Sequence, residues 1–248
     1  MTRSARRVVL PSGGSWFAGH FPGNPILPGV AHLALLDRPL AAVVSLRLRA
    51  PLVPGDEVEI LEEAAGEEGR LHVSLRRGAV LASRALVEIA GRDEAGTVVG
   101  EGSGTEPETG GDDPAAWIPH RPPIRCVEKL LEADDGGAVC RVRLPRVGAF
   151  AAGDRVPAFF ELECAAQATA AWEASRRVRA GEAAEPRTGY LVGARDAGFA
   201  APWFAAGACG TVRVRLEGHA PPLAVYGFEM DLGGRGVASG TIQVWLVP

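Results

Sequence analysis

The sequence has little that suits a membrane protein or a nucleic-acid-binding protein. None of its apolar runs is as long as a transmembrane helix, which needs about 18 residues, and the N-terminus lacks the apolar core of an export signal. Beyond the short segment RSARR there is no basic block, and the formal net charge is −4. We therefore expect a cytoplasmic protein with no membrane span and no nucleic-acid partner.

Cysteine and lysine are also scarce. The four cysteines show no CxxC spacing, and without an export signal we expect reduced, buried thiols rather than disulfides. No set of histidine, cysteine and acidic residues has metal-ligand spacing along the chain, so no metal site is predicted. Lys129 is the only lysine, and arginine supplies the remaining positive charge.

A segment rich in glycine, proline and acidic residues, GEGSGTEPETGGDDPAA, separates two halves of nearly equal length. It has no apolar periodicity and predicts a solvated linker at 101–116 between domains at 1–100 and 117–248. Each half contains one helical stretch followed by segments with the alternation of antiparallel strands. The helices are predicted at about 28–36 and at about 157–181, which makes the fold class α+β.

Three motifs resemble those of a known family. The N-terminal half contains GHFPGNPILPGV, and the C-terminal half contains PHRPP and, in its helix, ELECAAQ. They are similar to motifs of bacterial 3-hydroxyacyl-acyl-carrier-protein dehydratases of the hot-dog fold, in which a curved antiparallel sheet wraps a central helix. The resemblance implies a tandem (double) hot-dog fold whose halves pair as a pseudo-dimer. More narrowly, the halves resemble the two dehydratase-like partners of bacterial aryl-polyene pathways.

The resemblance also implies which residues form the site. In the family an acidic residue follows the catalytic histidine by fourteen positions, and dimers bring the histidine of one subunit to the acid of the other. Ala34 occupies that position after His20, and Ala149 occupies the matching position before Glu163. Each half has lost one group, and the losses are complementary. We therefore expect one complete site, formed by His20 and Glu163, and one blank site.

These groups suit the removal of water from a 3-hydroxyacyl thioester. A neutral imidazole at His20 can take the C2 proton near pH 7, and a carboxyl kept protonated at Glu163 can deliver a proton to the leaving hydroxyl. Gly29, at or just inside the predicted N-terminus of the first helix, is expected to donate its N–H to the thioester oxygen. These three residues are the predicted catalytic set.

The residues around this set are assigned by position. Gln167 lies one helical turn after Glu163 and can orient its carboxyl. Glu161 lies about 200° round the helix from Glu163, so both cannot face one channel. His120 and Arg121, in PHRPP, resemble a family segment that is chiefly structural. The predicted substrate-binding residues are Phe21, Pro28, His32 and Gln167.

The function implied by the resemblance is dehydration of chains carried on the phosphopantetheine of an acyl carrier protein, with no cofactor of the protein's own. The carrier protein is the expected partner, and self-association of the pseudo-dimer is left open. Candidate residues for contacts with the carrier are Arg3, Arg6, Arg7 and Arg195. One alternative is a hot-dog acyl thioesterase, against which GHFP argues. A second is a non-catalytic acyl-binding or scaffold subunit.

Overall fold

A computed structural model describes residues 3–100, 110–183 and 185–247. In the described part of the N-terminal half the elements are β1 (Arg3–Val9), α1 (Ala31–Ala34), β2 (Leu40–Leu48), β3 (Glu57–Ala64), β4 (Arg70–Arg77), β5 (Val80–Ile89) and β6 (Val98–Val99). In the C-terminal half they are β7 (Val127–Ala133), β8 (Gly137–Arg143), β9 (Arg155–Pro157), α2 (Glu161–Arg179), β10 (Gly189–Phe199), β11 (Trp203–Ala205), β12 (Cys209–Ala220), β13 (Leu223–Leu232) and β14 (Arg235–Leu246).

One antiparallel sheet of eleven strands runs through both halves, in the order β1-β3-β4-β5-β2-β10-β14-β13-β12-β8-β7. The two halves join where β2 pairs with β10, in a register that sets Arg47 opposite Gly193 and Leu46 opposite Ala194. A small second sheet also links the halves, because β6 pairs with β11, which in turn pairs with β9. This architecture confirms the predicted α+β class.

The helix α2 is enclosed by the sheet of its own half and packs against β7, β8 and β12. Its sequence is rich in alanine, glutamate and arginine, which favour helix, and it ends just before Gly181, whose φ is +83°. Trp172 is fully buried, meets Tyr226 edge-on and donates its indole N–H to the carbonyl of Asp134 at 2.8 Å. A helix buried on so many sides holds its first turn, where the acidic residues lie, in a fixed position.

The helix of the N-terminal half is shorter than predicted. Only Ala31–Ala34 is α-helical, and the next backbone bonds, including Asp37 N–H to the carbonyl of Ala34, span three residues rather than four. Asp37 then adopts a φ of +54°, and Pro39 follows, which cannot continue a helix. The expected helix at 28–36 is therefore a single turn, and Gly29 precedes it.

The two halves share one apolar core, which includes Leu33 and Leu46 from the first half and Phe160 and Trp172 from the second. Residues 101–109 of the predicted linker lie outside the described residues. Close after them, Asp112 already pairs with Leu130 through two backbone hydrogen bonds. Cys126, Cys140 and Cys164 are buried free thiols, and Cys209 is half-buried. Of the helices within the described ranges, none is both long and apolar enough to cross a bilayer.

Candidate active site

The loop that carries His20 is clamped onto the other half of the chain. Gly19 has a φ of +78°, and a side chain there would collide with the carbonyl of Arg121. The N–H of Arg121 in turn donates to the carbonyl of Gly19 at 2.9 Å. Phe21 also has a positive φ, of 53°, which turns the chain sharply beside the histidine. This close backbone approach fixes His20 relative to the segment that contains Arg121.

The imidazole of His20 is buried and hydrogen-bonded through Nδ1. Its Nδ1 lies 2.9 Å from the carbonyl oxygen of Ile26, which can only accept, so the partner assigns the proton to Nδ1. Nε2 is then the unprotonated nitrogen. Burial lowers the pKa of His20 to about 4, although the hydrogen bond to Ile26 opposes the change. The imidazole is therefore neutral at pH 7 and can accept a proton at Nε2.

The carboxyl of Glu163 lies in the first turn of α2 and is held by Gln167. The Nε2 of Gln167 donates to Oε1 of Glu163 at 2.9 Å and to the carbonyl of Ile124 at 3.0 Å, and its Oε1 accepts from the N–H of Cys126 at 2.9 Å. Burial raises the pKa of Glu163 to about 7, and the hydrogen bond from Gln167 opposes the rise. Near neutral pH this carboxyl is present both protonated and ionised.

These two groups meet at one place together with a third. A ring nitrogen of His20, a ring nitrogen of His120 and a carboxyl oxygen of Glu163 all lie within 4.8 Å of one another, and all three residues are buried. His20 comes from the first half of the chain, and the other two come from the second. Imidazole and carboxylate are both metal-ligand types. The spacing of these three residues along the chain did not predict that they would lie together.

His120 was missed as a site residue by the sequence reasoning. Its Nε2 lies 3.4 Å from Oε1 of Glu163, and its ring centroid lies 5.5 Å from that of His20. Burial, helped by the charges of His20 and Arg121, lowers the pKa of His120 to about 3, so this ring is also neutral at pH 7. The available signal was the proline-rich context, since Pro119 and two further prolines flank it much as prolines follow His20.

A cavity of about 590 Å³ opens at this cluster and runs along α2. Its apolar walls come from Leu48 on β2, Leu191 on β10 and Leu246 on β14, with Ala166 and Ala170 on α2. Arginines also reach the lining, at positions 49, 177 and 187. The volume lies in the range of small-molecule sites, and the walls suit a hydrocarbon chain.

Gly29 lines this cavity and is half-buried. A Cβ there would come within 2.6 Å of Cδ1 of Leu48 and 3.3 Å of Cδ2 of Leu191, so glycine keeps the passage open. Among the described residues its N–H makes no backbone hydrogen bond. The expectation that a helix dipole would stabilise negative charge at Gly29 was wrong. The helix α1 is a single turn, so too few peptide units align to give a large dipole.

The four predicted substrate-binding residues divide into two pairs. Phe21 and His32 line the cavity, and Nδ1 of His32 lies 3.0 Å from Oγ of Ser83. Pro28 and Gln167 are buried but lie outside the cavity lining, contrary to the prediction. The carbonyl of Pro28 caps the turn into α1, and Gln167 is occupied by Glu163 and the backbone behind it.

A second site would need an acid at position 34 and a histidine at position 149, and both positions hold alanine. Ala34 and Ala149 are half-buried against the core. Beside Ala149, the ring of Phe150 packs against Phe160 at 5.0 Å and meets Trp16 edge-on at 5.6 Å. Within the described part of the chain, His20 and Glu163 therefore come together, and the opposite pair of positions has neither a histidine nor an acid.

Glu161 is buried in the same turn of α2 as Glu163 but does not line the cavity. Neither of its carboxyl oxygens has a hydrogen-bond partner among the described residues, and burial raises its pKa well above the usual range. Glu161 is thus a buried neutral carboxyl outside the site, which makes it a matched comparison for Glu163.

Comparison with known families matches each half separately. The model of the ApeP-like family, described as ApeP dehydratase, matches residues 113–248, which is 136 of 248 residues. The model of the ApeI-like family, described as ApeI dehydratase, matches residues 3–84. The 3-hydroxyacyl-[acyl-carrier-protein] dehydratase FabZ of Thermus thermophilus is 38% identical over 91 residues, covering 29% of this chain and 58% of its own. The chain thus spans less than two thirds of that curated relative.

Solved structures share the fold. The dehydratase domain of PpsC from Mycobacterium tuberculosis, in complex with C12:1-CoA, superposes with a TM-score of 0.67 at 17% identity, over 99% of this chain and 94% of that one. The dehydratase heterocomplex ApeI:P from Xenorhabdus doucetiae gives a TM-score of 0.50 at 23% identity, over 55% of this chain and 91% of that one. These neighbours confirm the predicted tandem hot-dog fold.

Proposed function

We propose that this chain, which belongs to the ApeP-like dehydratase family, removes water from 3-hydroxyacyl thioesters to give trans-2-enoyl thioesters. The observation that carries the proposal is the meeting of His20 and Glu163, from opposite halves of the chain, in one apolar cavity. One group is a neutral imidazole and the other is a carboxyl whose pKa is raised to about 7. They form an acid–base pair of the kind that dehydration needs.

The reaction moves one proton from the substrate to His20 and one proton from Glu163 to the leaving hydroxyl. The Nε2 of His20 accepts the proton from C2 of the substrate, and the electron pair of that C–H bond forms the C2–C3 double bond. The C3–O bond breaks, and the hydroxyl leaves as water with the proton of Glu163. After the step His20 is protonated and Glu163 is ionised, so a proton must return from imidazole to carboxylate before the next cycle.

The thioester oxygen gains negative charge while the C2 proton leaves. We assign its stabilisation to the backbone N–H of Gly29, a residue that lines the cavity and whose N–H makes no backbone hydrogen bond among the described residues. Phe21 and His32 also line the cavity and are the side chains proposed to contact the substrate beside the reacting atoms. Side chains and backbone perform every step, so the proposal needs no cofactor.

The substrate is proposed to arrive on the phosphopantetheine of an acyl carrier protein. The apolar walls at Leu48, Leu191 and Leu246 suit an acyl chain, and arginines at the lining suit a phosphate or an acidic partner. Matches to both an ApeI model and an ApeP model support conjugated aryl-polyene chains as the substrates. Because one chain supplies both halves of the site, further self-association is not required for the reaction.

The test is conversion of a 3-hydroxyacyl carrier-protein thioester, followed by mass spectrometry of the carrier protein. We expect the loss of one water from the acyl group and, with the enoyl thioester as starting material, the reverse reaction. Release of free carrier thiol would instead indicate a thioesterase. No conversion, together with acyl binding that survives His20→Ala, would indicate a scaffold subunit. A conjugated substrate that reacts no faster than a saturated one would contradict the aryl-polyene assignment alone.

A further inference from the structure

We propose that His120 is a positioning residue, which donates its Nε2–H to Oε1 of Glu163 and so keeps the catalytic proton of that carboxyl on Oε2. The inference rests on the proposed function, since it concerns the acid of the same site. It gives a role to a side chain that sequence reasoning had placed in a structural segment.

Two donors converge on the same oxygen of Glu163. Gln167 donates to Oε1 at 2.9 Å, and Nε2 of His120 lies 3.4 Å from the same atom. The orientation of the Gln167 amide is set by its other partners, the carbonyl of Ile124 and the N–H of Cys126, so its nitrogen faces Glu163. An oxygen that accepts from a donor behaves as the carbonyl oxygen of a protonated carboxyl, which places the proton on Oε2.

The tautomer of His120 follows from its surroundings. Its Nδ1 is buried and has no hydrogen-bond partner among the described residues, whereas its Nε2 faces Glu163. A proton on Nε2 can be used in a hydrogen bond, and a proton on Nδ1 would be stranded without an acceptor. The contact of 3.4 Å is longer than the roughly 3 Å typical of an N–H···O hydrogen bond, so Gln167 is the closer of the two donors.

His120 is placed by the same contact that places His20. The backbone bond from Arg121 to Gly19 joins the residue after His120 to the residue before His20. The base and the positioning residue are therefore held by one clamp between the two halves. The buried ring of His120 also packs against Phe21, with centroids 5.5 Å apart, which limits its rotation.

The titratable groups that share the surroundings of Glu163 come from several elements. The two loops contribute His20 and His120, α1 contributes His32, and the thiol of Cys126 precedes β7. On α2 itself the neighbours are Glu161 and Cys164. At neutral pH the three imidazoles are uncharged, because burial lowers their pKa values to between about 3 and about 4. A change at His120 therefore reaches Glu163 through hydrogen bonding.

The first test is the pH dependence of kcat for His120→Leu and His120→Gln. Loss of the donor in His120→Leu should lower kcat about tenfold or more and move the alkaline limb to higher pH, because the ionised form of Glu163 loses a donor. His120→Gln retains an N–H donor and should restore the limb towards its wild-type position. His72→Leu removes an exposed imidazole on β4, outside the cavity lining, and should leave the limb in place.

The second test does not depend on turnover. The carboxyl C=O band of Glu163, assigned by its loss in Glu163→Gln, is titrated by infrared spectroscopy in wild type, His120→Leu and His120→Gln. We expect the pKa of Glu163 to rise by about half a unit or more in His120→Leu and to stay near wild type in His120→Gln. An unchanged pKa in His120→Leu would overturn the inference, even where kcat falls. If the pKa of Glu163 rises in His120→Leu as expected but the wild-type protein carries out no dehydration, only the proposed function is refuted.

Discussion

The side chains of His20 and Glu163, which belong to opposite halves of one chain, approach within 4.8 Å of each other across a single cavity. Their counterparts in the other pairing, Ala34 and Ala149, hold no ionisable group. A second complete site would require two more buried titratable groups, each of which costs free energy when desolvated. A fused pair therefore keeps one site, and each half is needed to complete it.

Replacing either member of the pair should abolish dehydration. We expect His20→Ala and Glu163→Gln each to lower kcat by about 10²–10⁴-fold, because each removes one proton-transfer group. The matched control is Glu161→Gln, which changes a buried neutral carboxyl in the same turn of α2, outside the cavity. It should retain most of the activity in the carrier-protein assay. Equal losses at Glu161 and Glu163 would contradict the assignment of the acid.

The pH dependence should follow the two pKa values of the pair. His20 must be neutral to accept a proton, which holds above about pH 4, and Glu163 must be protonated to donate one, which holds below about pH 7. We expect kcat/KM to be highest between these values and to fall about tenfold for each pH unit well above 7. Measurement from pH 4.5 to 9 with a constant carrier-protein substrate tests this. A rate that rises through pH 8 would contradict the roles.

Much of the fold and of the pair could be predicted from local sequence. The alternation of DEVEIL and the composition of α2 indicate their elements directly. The strand β7 has no such signal, because Val127, Leu130 and Leu131 do not alternate. Its pairing with β8 contains two register shifts, which break the two-residue period. The helix α1 was predicted too long because the left-handed turn at Asp37 depends on tertiary context.

The site was predictable only where the two halves repeat each other. Glu163 follows from comparing the halves, since it stands where the first half has Ala34. His120 has no counterpart in that comparison, because it lies outside the stretches that align, 19–34 and 148–163. Its approach to Glu163 depends on the contact between Arg121 and Gly19, which no periodicity reports. Likewise, only packing shows that Gln167 lies behind the acid and outside the cavity lining.

Adding a methyl group at Gly29 should obstruct the substrate. A Cβ there would lie 2.6 Å from Cδ1 of Leu48 at the cavity wall, so the Leu48 side chain would have to shift and the wall would change shape. We expect Gly29→Ala to lower kcat/KM about tenfold or more, since small misplacements of the reacting atoms are costly. Gly13→Ala is the control, because a Cβ at Gly13 meets nothing within 4 Å. Steady-state kinetics that do not distinguish the two variants would contradict the requirement for a residue without a side chain at this point of the cavity wall.

The raised pKa of Glu163 should make the protein less stable as pH rises. The carboxyl ionises near pH 4.5 in the unfolded chain and near pH 7 in the fold, so between these values folding takes up a proton. The linkage penalty is absent below pH 4.5 and reaches about 3 kcal/mol above pH 7. Glu163→Gln removes the titrating group while keeping its shape.

We therefore expect Glu163→Gln to be inactive but more stable than wild type by about 1–3 kcal/mol at pH 8, and similar to wild type at pH 4.5. Urea denaturation at the two pH values measures the difference. The imidazoles affect both proteins alike at low pH, so the comparison isolates the carboxyl. Glu68→Gln, on the exposed turn between β3 and β4, is the control and should follow wild type at both pH values. Parallel stability curves for wild type and Glu163→Gln would show that folding does not raise the pKa of Glu163. That result would contradict its role as the general acid.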